Sequence, residues 1–260
     1  MKRTIYYSDM MNDDFADNGI KRKKLPRDYQ YISKDPLRRT ADFMLHHFVA
    51  TPIAYIFQKV VYCEKIVNRK VLQPYLINGF YIYGNHTRAA GDAFTPHLIA
   101  FPRKAYILAA PEAVSIPIVR HLVKSLGGFP VPSDVAGVRN FHSSLLKRAE
   151  HNCIAIYPEA HIWPYFTQIR PFLDASFRYP AETCKPVFAF TVTYHKRFLI
   201  SLPRTVVYID GPFFADPSKK HAKIRQCFAT RYMKQCVAGA SNPIIPTILM
   251  YRLKTITRID

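Results

Sequence analysis

The strongest constraint on the fold is a set of short β-rich apolar runs, separated by stretches of helical spacing. Phe80-Tyr81-Ile82-Tyr83 stops at Gly84, and Cys153-Ile154-Ala155-Ile156-Tyr157 stops at Pro158. Residues 104–110, 186–194 and 204–209 read the same way. A strand that is apolar on both sides of its pleat belongs in a sheet covered on both faces, the usual state of parallel strands. Between these runs, Val114, Ile118, Leu122, Val123 and Leu126 recur at helical spacing across Pro117. Val138, Phe141, Leu145, Leu146 and Ala149 do so again, with Asp134 upstream as a cap. Residues 127–132 read as a short edge strand. The alternation predicts an α/β fold, a mixed, largely parallel sheet flanked by helices.

Ahead of this core, residues 1–40 read as a basic tail with clusters at Lys21-Arg22-Lys23-Lys24 and Arg38-Arg39. Residues 41–75 read as helical. Their most apolar part, 43–62, is interrupted by His46, His47, Pro52, Gln58 and Lys59. It therefore falls short of the ~20 predominantly apolar residues of a spanning helix. Two readings stand: an amphipathic helix lying in a membrane interface, or one packed on its own domain. No apolar signal-peptide core is found in the first 40 residues. Residues 76–236 are expected to form the main domain, with its motifs within 80–195 and a basic helix opening at Asp216-Pro217. Residues 237–260 show no clear periodicity and stay unassigned.

Charge narrows the partners. Thirty-seven Lys and Arg against eighteen Asp and Glu give a formal charge of +19. Such a chain is drawn to nucleic acid or to anionic lipid, and charge alone does not separate them. Its basic residues are scattered and no nucleic-acid reader motif occurs, so lipid is expected. No Gly-rich nucleotide cradle is present, so any phosphate must be met by side chains. The five cysteines are irregularly spaced without a C-x-x-C, which reads as reduced structural thiols. No H-E-x-x-H or comparable pattern supports a metal site, and none is expected.

Two strand ends carry candidate chemistry, and the carboxyl ends of strands are where α/β sheets usually bind ligands. One is Asn85-His86-Thr87-Arg88-Ala89-Ala90-Gly91-Asp92; the other is Tyr157-Pro158-Glu159-Ala160-His161. A histidine after a strand with an aspartate shortly downstream is the minimum for general-base catalysis, the carboxylate fixing the tautomer. Trp163, Tyr165 and Phe166 follow closely, either as an apolar trough or as core.

These segments resemble the phospholipid and glycerol acyltransferase family, marked by Asn-His, four residues, then Asp. The family's aromatic-Pro-Glu-Gly-Thr-Arg block is matched at its start by Tyr157-Pro158-Glu159. Its glycine-led strand is matched by Gly127-Gly128-Phe129-Pro130-Val131, and its proline-led apolar strand by Pro186-Val187-Phe188-Ala189. All four blocks occur in order over roughly residues 75–200. Three departures stand out. Five residues rather than four separate His86 from Asp92, a surplus that Gly91 is expected to absorb. Ser133 stands at the second block's arginine, and Ala160-His161-Ile162 replaces Gly-Thr-Arg.

The resemblance implies an O-acyltransferase of phospholipid biosynthesis, with His86 as base and Asp92 as its orienting partner. Acyl-CoA or an acyl carrier protein would be the cosubstrate, and no cofactor is needed. The acceptor would be the hydroxyl of 1-acylglycerol 3-phosphate, with Asn85, Pro158 and Glu159 shaping its site. Arg88 and Arg170 are expected to replace the family's phosphate-binding arginines, with Arg139 a further candidate. Backbone N–H groups of the motif loops would meet the oxyanion. The place of work would be the cytoplasmic face of an anionic membrane, held peripherally or monotopically. The alternatives are another glycerolipid or lyso-lipid acceptor, or a non-catalytic basic protein that binds lipid or nucleic acid.

Overall fold

The runs without a polar break form the middle of the sheet. The computed structural model describes residues 3–15, 24–88, 91–111, 122–198, 200–216, 230 and 249–253. In chain order, β1 (Arg3–Tyr7) and α1 (Pro36–Met44) are followed by a π-helical turn (Leu45–Ala50) and α2 (Thr51–Val61). Next come β2 (Lys65–Val67), a 3-10 stretch (Arg69–Tyr75), β3 (Phe80–Gly84), α3 (Thr95–Ala100) and β4 (Ala105–Ala109). The chain continues through β5 (Gly128–Pro130), α4 (Val135–Ala149), β6 (Cys153–Ile156) and α5 (Arg178–Thr183). It closes with β7 (Val187–His195), β8 (Arg204–Phe213) and β9 (Leu249–Leu253).

Seven strands make one sheet in the order β2-β8-β7-β3-β6-β4-β5. Only β7 and β8 run antiparallel; every other neighbouring pair is parallel. β3 and β6 are buried along their whole length, which is why their sequences carry no alternation. Their side chains divide between the two faces, Tyr81, Tyr83, Ile154 and Ile156 on one and Phe80, Ile82, Cys153 and Ala155 on the other. β5 lies at an edge, as its short proline-ended sequence suggests. Asp134 caps α4, accepting the Gly137 N–H at 3.0 Å.

The amino-terminal third departs from expectation. The α-helix within 41–75 ends at Val61; Cys63 turns the chain at φ 45°, Ile66 and Val67 join β8 in parallel, and helical turns resume only as 3-10 over Arg69–Tyr75. Residues 1–40 are not simply a solvated tail. Tyr31 is buried, stacks on Phe129 at 4.5 Å and donates its hydroxyl to Pro130 O at 2.9 Å. Asp35 caps α1, which begins inside that stretch. β1 pairs in parallel with β9, so part of the unassigned 237–260 stretch is a strand. The expected helix at 114–126 is helical at residues 122–125 and turns at Leu126; residues 114–121, the Lys21–Lys23 cluster and residues 217–229 of the expected basic helix lie outside the described residues. Among the described residues no helix is long and apolar enough to cross a membrane.

Candidate active site

His86 stands two residues past the carboxyl end of β3. The chain is held there by Asn85, whose amide extends the ladder to β7: Nδ2 donates to Val192 O at 3.1 Å and Oδ1 accepts the Val192 N–H at 2.8 Å. The His86 ring stacks on Tyr157 from the end of β6, with centroids 4.3 Å apart and planes 15° apart. Nδ1 lies 2.9 Å from Asp92 Oδ2. A carboxylate only accepts, so the proton sits on Nδ1 and the lone pair on Nε2. Nε2 makes no hydrogen bond among the described residues, and the side chain keeps 17% of its surface open.

Asp92 is buried and well supplied with donors. Its Oδ2 also accepts the Thr87 and Arg88 N–H groups, each at 2.9 Å, and Oδ1 accepts Arg88 Nε at 3.2 Å. Burial alone would raise its pKa, but the His86 hydrogen bond and the Arg88 charge outweigh that and hold it below the ordinary carboxylate value. Tyr157 donates its hydroxyl to Asp92 O at 2.6 Å. Gly91 does not serve as expected, because it lies outside the left-handed region. What its missing Cβ provides is room: a Cβ there would sit 2.8 Å from Arg88 Nε.

Behind Asp92 the network runs inward. Arg88 donates to Glu64 Oε2 at 2.7 Å and to Thr95 Oγ1, and lies over the Tyr62 ring. Gln58 Nε2 donates to Gly91 O at 2.7 Å and to Thr95 Oγ1 at 2.9 Å. One buried positive charge thus lies between two negative ones, Glu64 on one side and Asp92 on the other.

The second strand end is arranged differently. Glu159 Oε2 accepts the His86 N–H at 3.2 Å, and Oε1 accepts the Arg170 N–H at 3.2 Å. The Arg170 guanidinium stays 3.6 Å from this carboxylate and donates instead to the carbonyls of Met10, Glu159 and His161. Burial, only partly offset by Arg170, raises the Glu159 pKa. Trp163 N–H and Tyr165 N–H donate to His86 O and Thr87 O at 3.2 and 2.8 Å, so residues 163–165 lie along the motif as a short ladder.

No family model matches the sequence, and no curated protein matches it at a significant level. A likeness emerges among solved structures, to the 1-acyl-sn-glycerophosphate (LPA) acyltransferase PlsC from Thermotoga maritima. The TM-score is 0.54, at 15% identity, over 82% of this chain and 86% of that one. The two share one fold. The likeness bears on architecture, a mixed and largely parallel α/β sheet with His86 at the carboxyl end of a central strand.

Set in this PlsC-like fold, the residues singled out from sequence fall into two groups. Asn85, His86, Asp92 and Glu159 converge, and Pro158 lies in the loop that supports them. Arg88 and Arg170 do not face an acceptor. Both side chains are fully enclosed and engaged by the groups above, so phosphate recognition by them is corrected. Arg139 is exposed on α4. The amides of His86, Thr87, Arg88, Ala160, His161, Trp163 and Tyr165 are spent on internal acceptors, which removes them as oxyanion donors. Trp163 is buried, donates Nε1–H to Asp13 O at 2.7 Å and contacts Tyr7 and Phe15, so it is core rather than trough. His161 meets Asp14 at 3.3 Å, and among the described residues no group of three or more His, Cys, Asp or Glu could hold a metal.

Sequence reasoning missed Gln58, Glu64 and Thr95. For Gln58 and Glu64 a signal was available, a glutamine and a glutamate in a stretch read only for its helical hydrophobicity; Thr95 carried none.

Proposed function

We propose that the chain is an O-acyltransferase that moves a fatty acyl group from acyl-CoA or an acyl carrier protein to the hydroxyl of 1-acylglycerol 3-phosphate. The observation that carries this reading is His86 Nδ1 held 2.9 Å from buried Asp92, with no hydrogen bond on Nε2 among the described residues, just past β3 in a fold shared with a glycerophosphate acyltransferase. Nε2 takes the hydroxyl proton as that oxygen attacks the thioester carbonyl carbon. Asp92 stabilises the imidazolium, as a carboxylate partner does in acyl-transfer dyads and triads. The tetrahedral intermediate then collapses, the C–S bond breaks, and the thiolate leaves with the proton returned from Nε2. With Arg88 and Arg170 enclosed, exposed Arg139 is the arginine of the three left to meet the acceptor phosphate.

Peripheral attachment to the cytoplasmic face of an anionic membrane belongs to the same reading. Phe43, Phe48, Ile53, Ile56 and Val60 are all more than half exposed along α1, the π-helical turn and α2. An apolar helical surface of that kind suits the headgroup–acyl boundary, and each well-placed Lys or Arg adds about 1 kcal/mol of attraction to anionic lipid.

Thioester cleavage with lysophosphatidate as acceptor tests the chemistry. His86→Ala should lower the rate by about 10²–10⁴; equal rates for variant and wild type end the transferase reading. Arg139→Ala should raise KM for lysophosphatidate while leaving that for an uncharged monoacylglycerol unchanged.

A further inference from the structure

A cavity of about 240 Å³ lies at the end of the sheet opposite His86. Lys104 and Asn152 line it immediately before β4 and β6, whereas His86 and Tyr157 follow the carboxyl ends of parallel strands. Four- or five-residue strands set the two ends roughly 13–17 Å apart.

Five cations converge on this cavity: Arg39 from α1, Arg103, Lys104, Lys124 and Arg148 from the last turn of α4. The one carboxylate among its lining residues, Asp42, accepts a hydrogen bond from Ser125 Oγ at 2.7 Å. Tyr31, Tyr106 and Phe129 form an aromatic wall, and the Arg148 guanidinium lies 4.5 Å from the Tyr106 ring. Arg148 Nε is buried and makes no hydrogen bond among the described residues. Burial drives the Lys104 amine down to about 8, with Asp42 pulling the other way and Arg148 adding to the fall. Like charges gathered in a partly enclosed space, with one carboxylate among them and an unused buried donor, lack a counter-anion.

We infer that this cavity binds a phosphate group, at a site separate from His86. Its volume lies below that of typical pockets for whole small-molecule ligands, so it suits a phosphomonoester or diphosphate rather than a complete nucleotide. Two sources share this chemistry. One is a soluble phosphate; the other is a lipid headgroup, since exposed Phe43 on the apolar helical surface also lines the cavity. The inference is independent of the acyl-transfer reading.

Full-length protein is titrated with inorganic pyrophosphate by calorimetry, and with phosphatidylcholine vesicles with and without phosphatidic acid by co-sedimentation. Lys124→Gln/Arg148→Gln should weaken pyrophosphate binding by about tenfold or more, a loss of one or two charge-assisted contacts. Lys147→Gln, which removes an exposed neighbouring charge outside the cavity, should stay within about twofold of wild type. Loss of pyrophosphate binding with vesicle binding unchanged assigns a soluble phosphate. Loss of the phosphatidic-acid dependence alone assigns a headgroup. If neither probe distinguishes the double variant from wild type, or if Lys147→Gln weakens binding as much, the site does not exist. Arg39→Gln/Lys124→Gln, at the rim, replaces the double variant if Arg148→Gln prevents folding.

Discussion

Arg88 and Arg170 are both fully enclosed and both lie beside a carboxylate of the motif, yet they do different work. Arg88 spends its guanidinium on side chains, between Glu64 and Asp92, so its charge is felt one step from the imidazole. Arg170 spends most of its donors on main-chain carbonyls, and Glu159 in turn holds the His86 and Arg170 amides. The first pair governs charge at the site, the second the course of the backbone. The two carboxyl groups shift accordingly, Asp92 downward and Glu159 upward. Both carboxylates accept two backbone amides, and what separates them is that Asp92 also takes the imidazole and a guanidinium N–H, whereas the Arg170 guanidinium stops 3.6 Å from Glu159.

Catalysis should separate the pairs most widely. Asp92→Asn keeps the shape but offers the imidazole no anion, and loss of the equivalent carboxylate in a catalytic triad costs about 10⁴ in kcat. Glu159→Gln keeps an acceptor oxygen for only one of the two amides, a loss felt by the backbone rather than as charge at the imidazole, and should cost about tenfold or less. Similar losses in steady-state kcat would show that both carboxylates act on charge.

Stability comes next. Arg88→Met strands Glu64 and Asp92, and breaking a buried ion pair from one side costs about 3–5 kcal/mol. Arg170→Met leaves one carboxylate that keeps two amide donors, so a smaller loss of about 1–3 kcal/mol is expected. Urea denaturation of the two variants measures both, and the reverse order would overturn the division of roles.

The pH dependence of stability supplies the finest distinction. Asp92 is lowered in the folded state, so its contribution is present above the ordinary carboxylate range and lost as pH falls through its folded pKa. Glu159 is raised, so its contribution is fully present below its ordinary value and lost as pH rises through its folded pKa. Subtracting Asp92→Asn from wild type should therefore leave a difference that grows with pH across the acid range. Subtracting Glu159→Gln should leave one that shrinks with pH. Two slopes of the same sign, from urea midpoints across a pH series, would contradict the arrangement.

The sheet was largely legible because buried parallel strands leave continuous apolar runs, as at 80–84 and 153–156, and 187–190 opens β7 in the same way. His86, Asp92 and Glu159 were legible as polar residues punctuating the ends of those runs. The setting of the arginines was not, because sequence proximity does not reveal what a long side chain turns toward. Arg88 looked available until Glu64, twenty-four residues earlier, was seen to close on it. β2 was hidden by its brevity, three residues behind a helix. The stretch before α1 was masked by its own charges, although Tyr29 and Tyr31 were the aromatic residues that dock it.

The parallel pairing of β1 with β9 has a consequence for biosynthesis. Every strand of the main sheet lies between residues 65 and 213, so that sheet can close before β9 leaves the ribosome. β1 must wait for a partner made after the whole main sheet, and with it wait Tyr7 against Trp163 and the Met10 carbonyl on Arg170. A nascent chain stalled short of β9 would present His86 already held at the end of β3, with the cover over Trp163 still undocked.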